Sequence, residues 1–307
     1  MKTMKVKLKT NKKKQSWDDR LFSIITNLLL IVFVVIVAYP VYFVLVASVT
    51  DPQYVNNGLI LLYPKGFTLL GYKRVFSDMR IWIGYRNTLF YTISGTCLGV
   101  MATIMAGYAL SRKDLPGRKI IMKLFVFTMY FSGGMIPFYL VVKGLGMVNN
   151  RFLLVVLGCI SVYNIIIARS FMESTIPEEL REAATIDGCG NGYFFFKIVL
   201  PLSKAVAAVM ILFIAVTYWN SYFNAMIFMT DSSKYPLQLY LREILLTAST
   251  ASAAASELDP EAALKLETMV QVIKYGVIVV TTAPIICVYP FIQKYFVKGV
   301  MIGSVKG

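Results

Sequence analysis

The chain alternates between long uncharged runs and shorter charged segments. Six runs contain no Asp, Glu, Lys or Arg, and they cover residues 21–50, 87–111, 124–142, 152–168, 205–230 and 275–293. Charged side chains are costly inside hydrocarbon, and about 20 apolar residues in a helix cross the roughly 30 Å core of a bilayer. The pattern therefore predicts an all-α integral membrane protein with six transmembrane helices.

Charged residues near the ends of these runs set the limits of the predicted spans, which are about 21–47, 87–111, 121–142, 152–171, 204–230 and 270–293. The spans form one transmembrane domain, residues 21–293, between a basic N-terminal tail, 1–20, and a C-terminal tail, 294–307. The first run is about twice as long as the apolar core of a cleaved signal peptide, so we expect it to remain as a membrane anchor.

Positive charge is concentrated next to the apolar runs. The chain has 31 Lys and Arg against 16 Asp and Glu, a formal net charge of +15, and an excess of Lys and Arg marks cytoplasmic loops. This rule places both tails and residues 111–119 in the cytoplasm. The alternation of the spans then places the loop after span four in the cytoplasm too, and residues 51–86, 143–151 and 231–274 outside. Nucleic acid is not expected as a partner, because no basic face with interleaved exposed aromatic residues is present.

The residue types used for metal binding and acid–base catalysis are scarce. The chain has no histidine, and its four cysteines, at positions 97, 159, 189 and 287, form no CxxC pair. Neither a metal site nor a catalytic residue is therefore predicted. The chain also lacks the GxxxxGK[ST] loop that binds nucleotide phosphates, so we expect neither an enzyme nor a chain that binds a cofactor itself.

A short acidic stretch between spans four and five, EELREAATIDG, has the signals of a helix. Pro177 fits its start, Glu178 and Glu179 suit its N-terminal end, and Arg181 is placed to pair with Glu178. Gly188 can take the left-handed conformation that ends a helix. Anionic lipid would repel the acidic side of this helix, which favours docking in a protein groove over an interfacial position.

The stretch EAATIDGCGNGYFFFKIVLP resembles the EAA motif of ABC importer permeases. The matching residues are Glu182, Ala183, Ala184, Asp187, Gly188, Ile198, Leu200 and Pro201, and Cys189 stands where the motif usually has alanine. Five further segments resemble the carbohydrate permeases of the maltose-type G subunit: SGGMIPFYLVVKGLGMVNN, FMESTIPEELREAA, YWNSYFNAMIF, YPLQLYLREIL and KGVMIGSVKG. Within those permeases, the chain is most similar to the subgroup linked to oligosaccharides and polysaccharides.

The resemblance implies a type I ABC importer permease fold in a bacterial cell membrane, with a cytoplasmic coupling helix between spans four and five. It also implies a second, different permease subunit, two ATPase subunits that bind ATP and Mg²⁺, an extracytoplasmic sugar-binding protein and a carbohydrate substrate. In the family, the glutamate that corresponds to Glu182 lies near a basic residue of the ATPase. The implied coupling residues are Glu178, Arg181, Glu182, Ala183, Ala184, Asp187, Gly188, Pro201 and, in the tail, Gly303 and Lys306.

Span five contains the polar and aromatic stretch YWNSYFN. Sugars are bound by aromatic rings and by amide or hydroxyl groups, so the candidates for lining the translocation path are Trp219, Asn220, Tyr222 and Asn224. Asn220 and Asn224 are four residues apart and would share one helix face. Packing against a neighbouring helix explains the same polar residues equally well.

Two other transport functions stay open from the residues alone. A permease of the same architecture could serve a non-sugar solute. An ion-coupled secondary transporter usually has Asp, Glu or His within a span, and the six uncharged runs have none. The sequence does not name the sugar or its length.

Overall fold

The computed structural model describes residues 16–59, 62–254, 270, 273–287 and 290, and its regular elements are helices. Within these ranges, strand pairing is confined to one isolated antiparallel bridge between Thr50 and Phe67. The prediction of an all-α protein is therefore confirmed for the described part of the chain. Most of the N-terminal tail, the whole C-terminal tail and part of the sixth predicted span lie outside the described residues.

The helices follow one another with short connections. In chain order they are α1 (Trp17–Ser48), α2 (Pro52–Asn56), α3 (Leu70–Ser77), α4 (Met79–Ser111), α5 (Arg118–Tyr130), α6 (Met135–Gly144), α7 (Arg151–Leu157), α8 (Val162–Thr175), α9 (Glu178–Ile186), α10 (Asn191–Phe194), a π-helical turn (Phe195–Val199), α11 (Leu200–Leu202), α12 (Lys204–Trp219), α13 (Phe223–Phe228), a 3-10 turn (Ser232–Lys234), α14 (Leu237–Ala254) and α15 (Ile273–Cys287).

Two of the described helices, α1 and α4, are long and apolar enough to cross a membrane on their own. Three further helix pairs are apolar enough together but bent: α5 with α6 by 112°, α7 with α8 by 48°, and Asn191–Leu202 with α12 by 78°. If each bent pair is one span, the described residues contain up to five spans. The shorter apolar helix α15 lies within the sixth predicted span.

The third and fourth predicted spans are thus interrupted, and the third bend lies at residue 203, just before the predicted start of the fifth span. Each break has a local cause. Gly134, with φ of +83°, precedes the second helix of the first pair. Ser161 caps α8, because its side chain accepts a hydrogen bond from the backbone N–H of Asn164. Pro201 lacks a backbone N–H and lies just before the bend at Ser203, and α12 begins at Lys204, where the fifth span is predicted to begin.

The centre of the larger buried cluster is α4, which packs against α8 and α12 through its glycines. A Cβ atom added at Gly95 would lie 2.1 Å from the ring of Tyr218 in α12. One added at Gly107 would lie 2.8 Å from the Cβ of Ala168 in α8. Residues without a bulky side chain let membrane helices approach this closely, so the glycines fix the position of α4 among its neighbours.

In contrast, α1 packs against the rest of the described chain only at its C-terminal end. Val46, Ala47 and Ser48 are buried there, whereas the apolar side chains from residue 27 to residue 42 are exposed on every side. A helix that is apolar all round needs an apolar environment. Lipid or another membrane subunit can supply it.

Candidate functional site

The acidic helix α9 begins and ends where the sequence predicts. Pro177 precedes its first turn, and Nε of Arg181 donates to Oε1 of Glu178 at 2.5 Å. Gly188 has φ of +75°, and its N–H bonds to the carbonyl oxygen of Thr185 at 3.0 Å. The next N–H, that of Cys189, bonds back into the last turn at 2.8 Å. This pattern satisfies the last carbonyl groups of a helix and requires a left-handed residue, which glycine provides.

One side of α9 packs on the protein, and the opposite side is exposed in the part of the chain that the structure describes. Ala184 is buried, whereas Ile186 is 86% exposed. The exposed side, which we call the outer face of α9, consists of Glu179, Glu182, Ala183, Ile186 and Asp187. It combines acidic groups with an exposed large apolar side chain, a composition suited to a groove on another protein. Ile186 was not predicted as a site residue from the sequence. It lies four residues after Glu182, however, and residues with this spacing share one face of a helix.

A group of charged residues holds α9 against the loop that follows α4. Asp114 accepts two hydrogen bonds from Arg112, at 2.9 Å and 2.5 Å, and lies 3.8 Å from Nη1 of Arg181. Arg112 also donates to the side-chain oxygen of Asn191, just beyond α9, at 2.9 Å. The hydrogen bonds from Arg112 are the main cause that lowers the pKa of Asp114 from 3.8 to about 2. We call these four residues, with Glu178, the α9 network.

A second set of ion pairs joins the same loop to the end of α8. Glu173 lies 3.0 Å from Arg169 and 3.4 Å from Arg118. Arg118 also donates to the backbone carbonyl of Ser111 at 3.1 Å. The loop after α4 is therefore held by α8 as well as by α9.

A cleft of about 520 Å³ lies between this loop and α9. Its lining includes charged side chains of both signs, which are Arg112, Arg118, Arg181, Glu173, Glu178 and Glu179. Aromatic packing closes its end, since the ring of Tyr108 in α4 lies 5.3 Å from that of Phe195 and 6.4 Å from that of Phe194. The segment after α9 is thus attached to the same end of α4 as α9 itself.

The structure does not bring the four candidate path residues into one site. Trp219 is buried, where its indole N–H donates to the carbonyl oxygen of Thr281 at 3.1 Å. Asn220 is exposed and donates to the carbonyl oxygen of Val216, in the preceding turn, at 2.9 Å. The shared helix face predicted for Asn220 and Asn224 is wrong, because α12 ends at Trp219 and α13 begins only at Phe223.

Tyr222 and Asn224 face different surroundings. The exposed ring of Tyr222 lies beneath the guanidinium of Arg242, at 5.8 Å from the ring centroid. Asn224 is half-buried and lines a small cavity of about 290 Å³ with Ser132, Phe138 and other residues. Arg242 was not foreseen from the sequence, because it lies far along the chain in α14.

Two coupling candidates, Gly303 and Lys306, lie outside the described residues. In the part of the chain that the structure covers, no group of three or more His, Cys, Asp or Glu side chains is placed to hold a metal ion. The cysteines at positions 97, 159, 189 and 287 are free thiols.

Known proteins resemble the chain over nearly its whole length. No family model matches it. It is 42% identical to the polygalacturonan/rhamnogalacturonan transport system permease protein YtcP of Bacillus subtilis (strain 168), over 94% of this chain and 99% of that protein. It is 39% identical to the protein LplC of the same organism, over 87% and 89% of the two chains.

Among solved structures, a crystal structure of a bacterial ABC transporter involved in the import of the acidic polysaccharide alginate contains a similar chain. The TM-score is 0.81 and the identity is 33%, over 92% of this chain and 99% of that one. The similarity thus extends over nearly the whole length of both chains.

Proposed function

Because this chain belongs to the permease subunits of carbohydrate ABC importers, we propose that it forms half of the translocation path for an oligosaccharide or a polysaccharide fragment. In this proposal it has the type I importer fold, with six spans in the cell membrane and both termini in the cytoplasm. A second permease subunit lies beside it. Two ATPase subunits bind ATP and Mg²⁺, and an extracytoplasmic binding protein delivers the sugar.

The observation that carries the coupling role is the outer face of α9. This helix is short, firmly attached to the inner end of α4, and presents Glu182 and Ile186 to solvent. The chain has no phosphate loop, so the energy for transport comes from a separate protein. Closure of an ATPase pair would displace the docked α9 as a rigid body and alternate access to the path. The tail residues Gly303 and Lys306 would approach the same ATPases.

The grouping of the loops supports the proposed orientation. Loops assigned to the cytoplasm lie together, since Asp114 of residues 111–119 contacts Arg181 of α9. Loops assigned to the outside also lie together, since Nζ of Lys234 donates to the backbone carbonyl of Asn149 at 2.8 Å. This is the arrangement expected when successive spans alternate in direction.

We further propose that the sugar carries carboxylate groups. One relative is named for the transport of polygalacturonan and the solved relative is involved in the import of an acidic polysaccharide. In this chain, Arg242 lies over the exposed ring of Tyr222 and forms no ion pair with an acidic residue in the described ranges. A guanidinium beside an aromatic ring can bind a carboxylate while the ring contacts the apolar face of a sugar.

The coupling proposal is tested by ATP hydrolysis in the reconstituted complex, with and without sugar-loaded binding protein. Glu182→Ala should abolish most of the stimulation by substrate, because it removes the acidic group of the outer face. Lys143→Gln, a change of one exposed charge on the opposite side, should leave the stimulation as in the wild type. Full stimulation in Glu182→Ala would overturn the coupling role of α9.

A further inference from the structure

The two ends of α4 are attached to segments on opposite sides of the protein. At the inner end, the α9 network makes the attachment. Asp114 contacts Arg181 of α9, and Arg112, which pairs with Asp114, donates a hydrogen bond to Asn191. The loop after α4 therefore contacts the acidic helix α9 near its start, at Arg181, and contacts the chain just beyond the end of α9, at Asn191.

At the other end, α4 is hydrogen-bonded to the segment of residues 233–237. The side-chain amide of Asn87 donates to the carbonyl oxygens of Ser233 and Tyr235, at 2.8 Å and 3.0 Å. The hydroxyl of Tyr91 donates to the carbonyl oxygen of the intervening Lys234 at 2.8 Å. The side chain of Asn87 is buried, so these bonds are shielded from competing water and hold the segment firmly.

Between its two ends α4 is continuous and tightly packed. It has 33 residues and no proline, which corresponds to a rod about 50 Å long at 1.5 Å per residue. The two helix pairs that flank α9 are instead bent by 48° and 78°. Among the described helices that are attached to α9, only α4 is thus long and unbroken, so we expect it to be the stiffest of them.

We propose that Asp114 is a positioning residue that makes α4 move together with α9, so that a displacement of α9 reaches residues 233–237 through α4. The proposal rests on the proposed coupling role of α9. A displacement of α9 can also pass along the chain segments on either side of it. The contact between Arg181 and Asp114 provides a second, direct connection from α9 to α4. Asp114 acts through Arg181 and touches neither the sugar nor the nucleotide.

A single exposed ion pair contributes little, but Asp114 joins two guanidinium groups that have other partners. Arg112 also holds Asn191, and Arg181 also holds Glu178. Loss of this one carboxylate leaves both arginines in place but removes the group that links them. The main consequence is therefore a loose connection between α4 and α9, with a small effect on folding.

The test is the number of sugar molecules imported per ATP hydrolysed by the complete complex in proteoliposomes. Asp114→Asn should lower this ratio about threefold to tenfold, with the rate of ATP hydrolysis in the absence of sugar unchanged. Asp114→Glu, which keeps the carboxylate, should restore most of the ratio. Asp18→Asn is the matched control, because Asp18 is an exposed aspartate in α1 that forms no ion pair among the described residues, and it should behave as the wild type.

Glu182→Ala, measured in parallel, separates this proposal from the coupling role itself. If Glu182→Ala loses stimulation while Asp114→Asn transports with the wild-type ratio, the link through Asp114 is overturned and the coupling role stands. If Glu182→Ala is also normal, the coupling role is overturned.

A distance measurement keeps the proposal falsifiable if Asp114→Asn assembles poorly. Spin labels at Lys113 and Thr185, in a chain whose own cysteines are replaced, report the separation of the loop from α9. In the otherwise wild-type chain the distance distribution should be narrow and the same with and without nucleotide. A broad or nucleotide-dependent distribution there would contradict a rigid link between α4 and α9.

Discussion

The carboxylate of Asp114 lies 3.8 Å from the guanidinium of Arg181, and this contact joins the loop after α4 to the acidic helix α9. The contact connects two segments that are distant in sequence and that are both predicted to lie in the cytoplasm. Its energy and its dependence on pH can each be measured, and they test different parts of the structure.

The first prediction concerns the interaction energy of this pair. In a double-mutant cycle of Asp114→Asn and Arg181→Gln, thermal unfolding of the purified complex should give a coupling energy of about 0.2–1 kcal/mol. Raised salt should reduce this energy, because both side chains are partly exposed. Strictly additive effects of the two substitutions would show that the 3.8 Å contact does not form in solution.

The second prediction concerns the pH range in which the α9 network is complete. The pKa of Asp114 is lowered to about 2, mainly by hydrogen bonds from Arg112, so the folded state favours its ionised form. The stabilisation is then fully present above about pH 4 and is lost as the pH falls towards about 2.

Transport measurements between about pH 6 and 8 can check this range, because Asp114 stays ionised throughout it. The ratio of the coupling efficiency of Asp114→Asn to that of the wild type should be the same at both limits. A defect of Asp114→Asn that disappears towards pH 6 would mean that Asp114 titrates near neutrality in the folded protein.

The third prediction concerns the conformation of Gly188. Its φ of +75° is unfavourable for residues with a side chain, and a β-branched residue there costs about 1–2 kcal/mol. Gly188→Val should therefore loosen the end of α9 and reduce substrate-stimulated ATP hydrolysis, while Gly188→Asn, which tolerates this conformation, should keep most of it. Equal activity of the two variants would show that the left-handed end of α9 is not needed.

The fourth prediction concerns the close packing of α4 on α12. A methyl group at Gly95 would lie 2.1 Å from the ring of the buried Tyr218, and overpacking of this kind costs about 1–3 kcal/mol. The 2.1 Å distance to a buried ring places the cost at the upper end of this range. It is then larger than the roughly 1 kcal/mol that alanine gains over glycine within a helix, so Gly95→Ala should destabilise the protein.

Gly144→Ala is the matched control, because Gly144 ends α6 and a Cβ atom there meets nothing within 4 Å. Thermal unfolding in detergent should show a lower midpoint temperature for Gly95→Ala than for the wild type. The midpoint temperature of Gly144→Ala should be unchanged. An unchanged midpoint for Gly95→Ala would place Tyr218 elsewhere.

Local features of the fold were predictable from the sequence, and contacts between distant segments were not. The limits of α9 follow from neighbouring residues such as Pro177 and Gly188, so they could be read directly. The break at Asn220 could not, because the stretch around it is uncharged and contains neither glycine nor proline. The absence of charge and of these helix breakers favoured one continuous helix there.

The candidate site shows the same difference. The EAA motif located α9, but Asp114 stood out only as part of a charged loop, because its partner Arg181 is remote in sequence. Trp219 illustrates the opposite case, since its residue type is typical of a sugar site but its ring is buried against Tyr85 and Thr281. Which aromatic residues are exposed depends on the packing of several helices and cannot be read from one of them.

The last prediction concerns the charge of the sugar. If Arg242 binds a carboxylate, Arg242→Gln should raise the apparent KM for a uronate oligosaccharide about threefold to tenfold, because one charge-assisted hydrogen-bonding group is lost. The apparent KM for a neutral oligosaccharide of the same length should not change. Lys143→Gln removes an equal charge from the last turn of α6, also on the proposed outer side. It should change the apparent KM for neither sugar, which distinguishes direct contact from long-range attraction. An equal rise in the apparent KM for both sugars would show that Arg242 supports Tyr222 and does not recognise the carboxylate.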